Sequence, residues 1–128
     1  MSESKSSHPR VLIVDDDVEG RELLAEILER EGYAVSKAEN GRVALGTLEL
    51  NSPHLILLDL NMPIMNGYEF MKRLGQLPNW APVIVITAEE PIAISNAAAM
   101  LRKPVDISRL LGLMKRLNPA SSGPTQPE

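Results

Sequence analysis

Two apolar patterns alternate along the chain. Val11-Leu12-Ile13-Val14, Leu55-Ile56-Leu57-Leu58 and Val83-Ile84-Val85-Ile86 are short, uninterrupted apolar runs. Such runs suit strands buried on both faces, as in a parallel sheet covered by helices. Tyr33 to Ala38 reads as a further strand, and Met100-Leu101-Arg102 as a short last one. Between the runs, apolar residues recur at helical spacing. Val18, Leu23, Leu24, Ile27 and Leu28 mark a first helix, stopped by Gly32 at the position after its cap. Val43, Ala44, Leu45 and Leu48 mark a second, ended by Asn51-Ser52-Pro53. Tyr68 to Leu77 reads as a third, with Phe70, Met71 and Leu74 on its apolar side. Asp106 can cap a final helix carrying Ile107, Leu110, Leu111, Met114 and Leu117. Glu89 to Ala99 follows neither pattern.

Strand and helix thus alternate about five times, which predicts an α/β fold with a parallel sheet and helices on both faces. Met1 to Pro9 reads as a flexible N-terminal segment, 10–118 as the domain, and 119–128 as a Ser/Pro/Gly-rich disordered tail. The 128 residues are enough for one domain.

Composition narrows the function classes. Aromatic residues make up 3% of the chain (Tyr33, Tyr68, Phe70 and Trp80), so the core must be aliphatic. A net charge of −4 argues against a basic nucleic-acid surface. The chain has no Cys, which excludes a disulfide or a thiolate metal site. No apolar run approaches membrane-spanning length and the N-terminus lacks a signal-peptide core, so a cytoplasmic protein is expected. His8 and His54 show no metal-ligand spacing.

Three predicted strands end in polar residues: Asp15-Asp16, Asp59 and Thr87. Lys103 follows the last strand. A parallel sheet carries all these ends to one edge, where ligands of open α/β sheets bind. Clustered carboxylates repel one another by about 4 kcal/mol per pair at ~4 Å and an effective dielectric of about 20, so they want a cation. Oxygen-only ligands favour Mg²⁺, or Mn²⁺ as another hard ion. Such a metal beside a carboxylate, a hydroxyl and a Lys makes a phosphoryl-transfer site, with the carboxylate able to attack phosphorus. Taken singly, Asp15-Asp16-Asp17 also reads as a solvated turn and helix cap, and Lys103 as a surface charge.

The set Val11-Leu12-Ile13-Val14-Asp15-Asp16, Ala38-Glu39-Asn40-Gly41, Asp59 through Gly67, Thr87-Ala88 and Lys103-Pro104 resembles the receiver domain of bacterial response regulators, chemotaxis-type and single-domain. The resemblance covers about Arg10 to Leu117. It implies a flavodoxin-like, doubly wound five-stranded sheet of order 2-1-3-4-5. It also implies that Asp59 is the phosphoacceptor. Asp16, Asp59 and the main-chain carbonyl of Asn61 would hold Mg²⁺, with Asp15 assisting through water. Thr87 and Lys103 would contact the phosphoryl group, and Asn61 and Glu89 would tune dephosphorylation. Lys103-Pro104 is the candidate cis peptide. A sensor histidine kinase or phosphotransfer protein would be the donor, and the chain is expected to be a monomer. With no output domain after Leu117, signalling is expected through protein contacts or onward phosphotransfer.

Two departures bear on the switch of Thr87, Ala88 and Met100. The span from Thr87 to Lys103 is about one and a half helical turns shorter than the family's usual one, so the fourth helix should be short or disordered. Pro91 could start it and Ala97-Ala98-Ala99 continue it. Met100 stands where the family usually has Tyr or Phe. The alternative readings are a non-phosphorylated interaction module on this fold and a Mg²⁺-dependent phosphohydrolase. Against the hydrolase, Asn61 occupies the place of its usual second Asp and cannot transfer a proton.

Overall fold

The computed structural model describes residues 8–50, 52–60, 65–77, 81–88 and 96–117. The sheet consists of β1 (Arg10–Val14), β2 (Ala34–Ala38), β3 (Leu55–Asp59), β4 (Val83–Thr87) and β5 (Ala99–Arg102). All pairings are parallel, in the order β2-β1-β3-β4-β5. The described helices are α1 (Val18–Arg30), α2 (Gly41–Leu50), α3 (Gly67–Leu74) and α4 (Ile107–Leu117). This is the flavodoxin-like arrangement that the resemblance implied.

The uninterrupted apolar runs follow from burial on both faces. Leu12, Val14, Ile56, Leu58, Val83 and Val85 face α2 and α3, where Ala44, Phe70, Met71 and Leu74 cover them. Their neighbours Val11, Ile13, Leu55, Leu57, Ile84 and Ile86 face α1 and α4, against Ala25, Leu28, Leu110 and Met114. Alternation along each strand divides one continuous run between two cores.

Local chemistry sets the helix ends. Asp17 caps α1 by accepting the Gly20 N–H at 3.2 Å. The helix stops where Gly32 turns to φ 100° and the Tyr33 N–H returns to the Leu28 carbonyl at 3.1 Å. Asn40, Asn66 and Asp106 cap α2, α3 and α4 through the N–H groups of Val43, Glu69 and Arg109.

Three expectations need correction. Val18 and Leu23 are not on the buried side of α1 and are 59% and 60% exposed. The helix docks along Arg21, Leu24, Ala25 and Leu28, which rotates the other two off the sheet. Helix α3 ends at Leu74 rather than Leu77, because the N–H groups of Gln76 and Leu77 tighten to bonds three residues back. Ala97-Ala98-Ala99 does not continue a fourth helix. The Ala98 N–H bonds the Val83 carbonyl at 2.8 Å and Ala99 opens β5, so sheet pairing overrides the helical preference of alanine. The rest of that expected helix, 89–95, lies outside the described residues, as do 1–7 and 118–128. Within the expected flexible N-terminal segment, Pro9 is already tied to the fold, its carbonyl accepting the Ala34 N–H at 2.8 Å.

The segment after β3 is pinned by a close approach. The Gly67 N–H donates to the Leu60 carbonyl at 2.9 Å. A Cβ at position 67 would stand 2.6 Å from Leu60 Cα and 2.9 Å from the Asp59 carbonyl oxygen. Both are backbone atoms that cannot rotate away. Gly67→Ala is therefore expected to cost about 1–3 kcal/mol, read as a lower midpoint in urea denaturation.

His54 ties the opposite edge of the sheet. Its ring Nδ1 accepts the Arg10 main-chain N–H at 2.9 Å, and its main-chain N–H donates to the Arg10 carbonyl at 2.8 Å. Burial, and then the nearby Arg10 charge, push its pKa below the ordinary imidazole value. The unfolded chain therefore binds this proton first, and the bond's contribution is lost as pH falls below about 6.5. The drop in Tm between pH 7.5 and 5.5 is expected to be smaller in His54→Gln than in the native chain.

Candidate functional site

The carboxyl ends of β1, β3 and β4 form one edge, and the register of the sheet sets which residues meet there. Val14 pairs with Leu58, so the residues that follow, Asp15 and Asp59, come out side by side. Asp59 pairs with Ile86, which places Thr87 at the next strand end. Thr87 is buried, and its carbonyl accepts the Lys103 N–H at 2.8 Å. That backbone bond carries Lys103 to the edge, and the Lys103–Pro104 peptide that follows is cis.

Asp15, Asp16 and Asp59 each offer a carboxylate oxygen within 4.8 Å of the others. Asp59 is buried, Asp15 partly buried and Asp16 exposed. Lys103 Nζ lies 3.5 Å from Asp15 Oδ2 and 4.0 Å from Asp59 Oδ2. The Lys103 ammonium thus lies beside two carboxylates of the three-carboxylate cluster. Such a hard, all-oxygen donor set fits Mg²⁺, which binds through a few carboxylates and retains waters.

Asp59 is also reached from an open groove of about 420 Å³ between α1 and α4. Leu23, Leu24, Ile27, Val105 and Ile107 give this groove apolar walls, and Asp15, Asp59 and Lys103 also line it. The exposed Leu23 is therefore part of the approach to the site.

The remaining residues named from the sequence fall elsewhere. Ala88 is exposed just beyond Thr87, and Met100 is half-buried against the α2–α3 core. Asn61, expected to lend its carbonyl, and Glu89 lie outside the described residues.

The motif reading missed two supports of the site. Asn40-Gly41 is a helix start as well as a turn. The Gly41 N–H donates to the Met65 carbonyl at 3.2 Å and so ties α2 to the segment after β3. Arg21 donates from Nη1 to the Asp15 carbonyl at 2.8 Å. A cation in line with Ala25 and Leu28, at the i, i+4, i+7 positions of a buried stripe, was the available signal.

Known proteins share this arrangement. The family described as response regulator receiver domain matches residues 11–115. The chain is 34% identical to sporulation initiation phosphotransferase F of Bacillus subtilis over 119 residues, covering 88% of this chain and 96% of that one. It is 38% identical to an uncharacterized 14.6 kDa protein of Leptolyngbya boryana, covering 83% and 87% of the two chains. Among solved structures, the response regulator protein TrrA of Thermotoga maritima, in complex with Mg²⁺-BeF, superposes with a TM-score of 0.78. It is 32% identical, with 85% of this chain and 98% of that one covered. The chain spans about half the length of several other curated relatives, for example 49% of a mycobacterial response regulator. Fold, acidic edge and matched residues agree, and the chain belongs to the response regulator receiver domain family of two-component signalling.

Proposed function

We propose that this receiver, spanning residues 10–118, accepts a phosphoryl group on Asp59 from a histidine kinase or a phosphotransfer protein, with Mg²⁺ bound. The observation that carries this reading is the cluster of Asp15, Asp16 and Asp59 oxygens within 4.8 Å, with Lys103 Nζ 4.0 Å from Asp59. Asp15, Asp16 and Asp59 would hold the metal, and the Asn61 carbonyl would complete the set. When bound, Mg²⁺ neutralises charge on the carboxylates and on the incoming phosphoryl oxygens.

An Asp59 oxygen forms the new O–P bond as the N–P bond of the donor phosphohistidine breaks and the imidazole leaves. The narrow exposure of Asp59 admits that donor from the groove side and limits water, which would hydrolyse the product. Lys103, now beside Asp15 and Asp59, would exchange these carboxylates for a phosphoryl oxygen. The Thr87 hydroxyl, at the adjacent strand end, would bond another. The added charge, roughly −1.5 to −2, draws both groups inward and biases the surface around β4 and β5 towards a second arrangement. A partner protein reads that surface.

Intact-mass analysis after incubation with Mg²⁺ and acetyl phosphate or phosphoramidate tests the reading. The expected result is a gain of one phosphate that is hydroxylamine-labile and lost in Asp59→Asn. No gain from these donors or from a panel of phosphorylated kinases and phosphotransfer proteins would point instead to a non-phosphorylated interaction module. Rapid turnover of an external phosphate ester would point to a hydrolase.

Lys103 competes with the metal for two of the same carboxylates. Lys103→Met is therefore expected to tighten Mg²⁺ binding to the unphosphorylated chain by roughly tenfold at most, measured by calorimetric titration.

A further inference from the structure

Arg21 is a cation on the buried stripe of α1, where Ala25 and Leu28 continue the line. Its side chain is only 13% exposed. Nη1 donates to the Asp15 carbonyl at 2.8 Å, while Nε is shut off from solvent with no hydrogen-bond partner among the described residues. A Glu22 carboxylate oxygen lies 3.9 Å from Nε, beyond hydrogen-bond distance. Leaving a buried donor unpaired is destabilising. This placement does not maximise stability, and the bond it secures lies at the acidic loop.

The backbone of Asp15 is held from both sides. Its N–H donates to the Ala38 carbonyl at 3.1 Å, and its carbonyl accepts from Arg21. That carbonyl belongs to the planar peptide joining Asp15 to Asp16. Holding Asp15 on both sides fixes the direction in which its side chain leaves the chain, and the planar peptide sets where Asp16 begins.

We propose that Arg21 is the positioning residue of the divalent-cation site and acts through the Asp15–Asp16 peptide. The proposal rests on the Mg²⁺ reading above. Groups that orient metal ligands from behind typically contribute roughly 10–100-fold to affinity.

A through-space charge effect would have the opposite sign. Deleting a nearby positive charge by itself strengthens cation binding, as expected for Lys103. Arg21 differs in touching a carbonyl oxygen rather than a carboxylate. One Glu22 oxygen also lies 3.9 Å from its Nε, although Lys37 holds the other at 2.8 Å. Loss of orientation therefore outweighs loss of repulsion.

Calorimetric titration of Mg²⁺ into the full chain decides the matter, with metal-free melts run on the native chain, Arg21→Met and Arg21→Lys. Arg21→Met is expected to bind Mg²⁺ at least about tenfold more weakly while still folded at the titration temperature. Arg21→Lys keeps the charge without the planar donor fork and is expected to bind more weakly than the native chain as well. Native-strength binding by both variants, or tighter binding by Arg21→Met, overturns the proposal. If Arg21→Met does not fold, Arg21→Lys alone decides by the same criterion. A native chain that binds no Mg²⁺ overturns the metal reading and this proposal together, whereas native binding with unchanged variants overturns only the role of Arg21.

Discussion

A parallel sheet buried on both faces sends the carboxyl end of every strand to one edge, and that constraint governs the rest of this structure. Two separate cores hold the strands in register, so Asp15 and Asp59 are brought together whatever their mutual repulsion. At a separation near 5 Å and an effective dielectric of about 20, each bare pair repels by roughly 3 kcal/mol, which Lys103 offsets in part. The aliphatic burial beneath the edge is large enough to bear this. Phe70, Leu12, Ile56, Leu58, Leu74 and their neighbours are fully buried, and each such side chain contributes about 1.5–3 kcal/mol. The repulsion remains at the edge as an affinity for cations.

The supports of that edge come from elements far apart in the chain. Lys103 arrives from beyond β5 through a backbone bond to Thr87, and its ammonium spans two carboxylates. Gly67 lets the start of α3 close onto the backbone of Leu60, next to Asp59. Gly41 joins α2 to the same segment through Met65. The loops at the site are thus braced by backbone contacts that a Cβ would obstruct, which couples side-chain substitutions there to the position of Asp59. The opposite edge carries a different kind of bracing, the His54–Arg10 pair, whose strength varies with protonation.

The groove between α1 and α4 links packing to access. Leu23, solvent-exposed on α1, and Val105 and Ile107 beyond Lys103 make apolar walls, and Asp59 and Lys103 line the same groove. A protein that reached Asp59 by this route would cover apolar surface as it approached. The surface on the other side of β4 is built differently. Met100 is a flexible side chain packed against the α2–α3 core.

Most of the architecture was legible in the sequence for a physical reason. Uninterrupted four-residue apolar runs separated by helical periods leave few options besides a doubly covered parallel sheet, and the residues closing each run then fall on one edge. The helix caps Asp106 and Gly32 were also readable, because capping is local chemistry. The rotation of α1 was not. Val18 and Leu23 fit a helical period as well as Leu24 and Leu28 do, and only docking against the sheet chose the line through Arg21, Ala25 and Leu28. Ala97-Ala98-Ala99 shows the same limit, since its intrinsic preference is helical and a strand partner at Val83 and Ile84 decided otherwise. The sequence by itself determined which strand ends carry charge. The tertiary structure decided which side chains turn inward and how closely the charges approach, because those depend on contacts between residues distant in the chain.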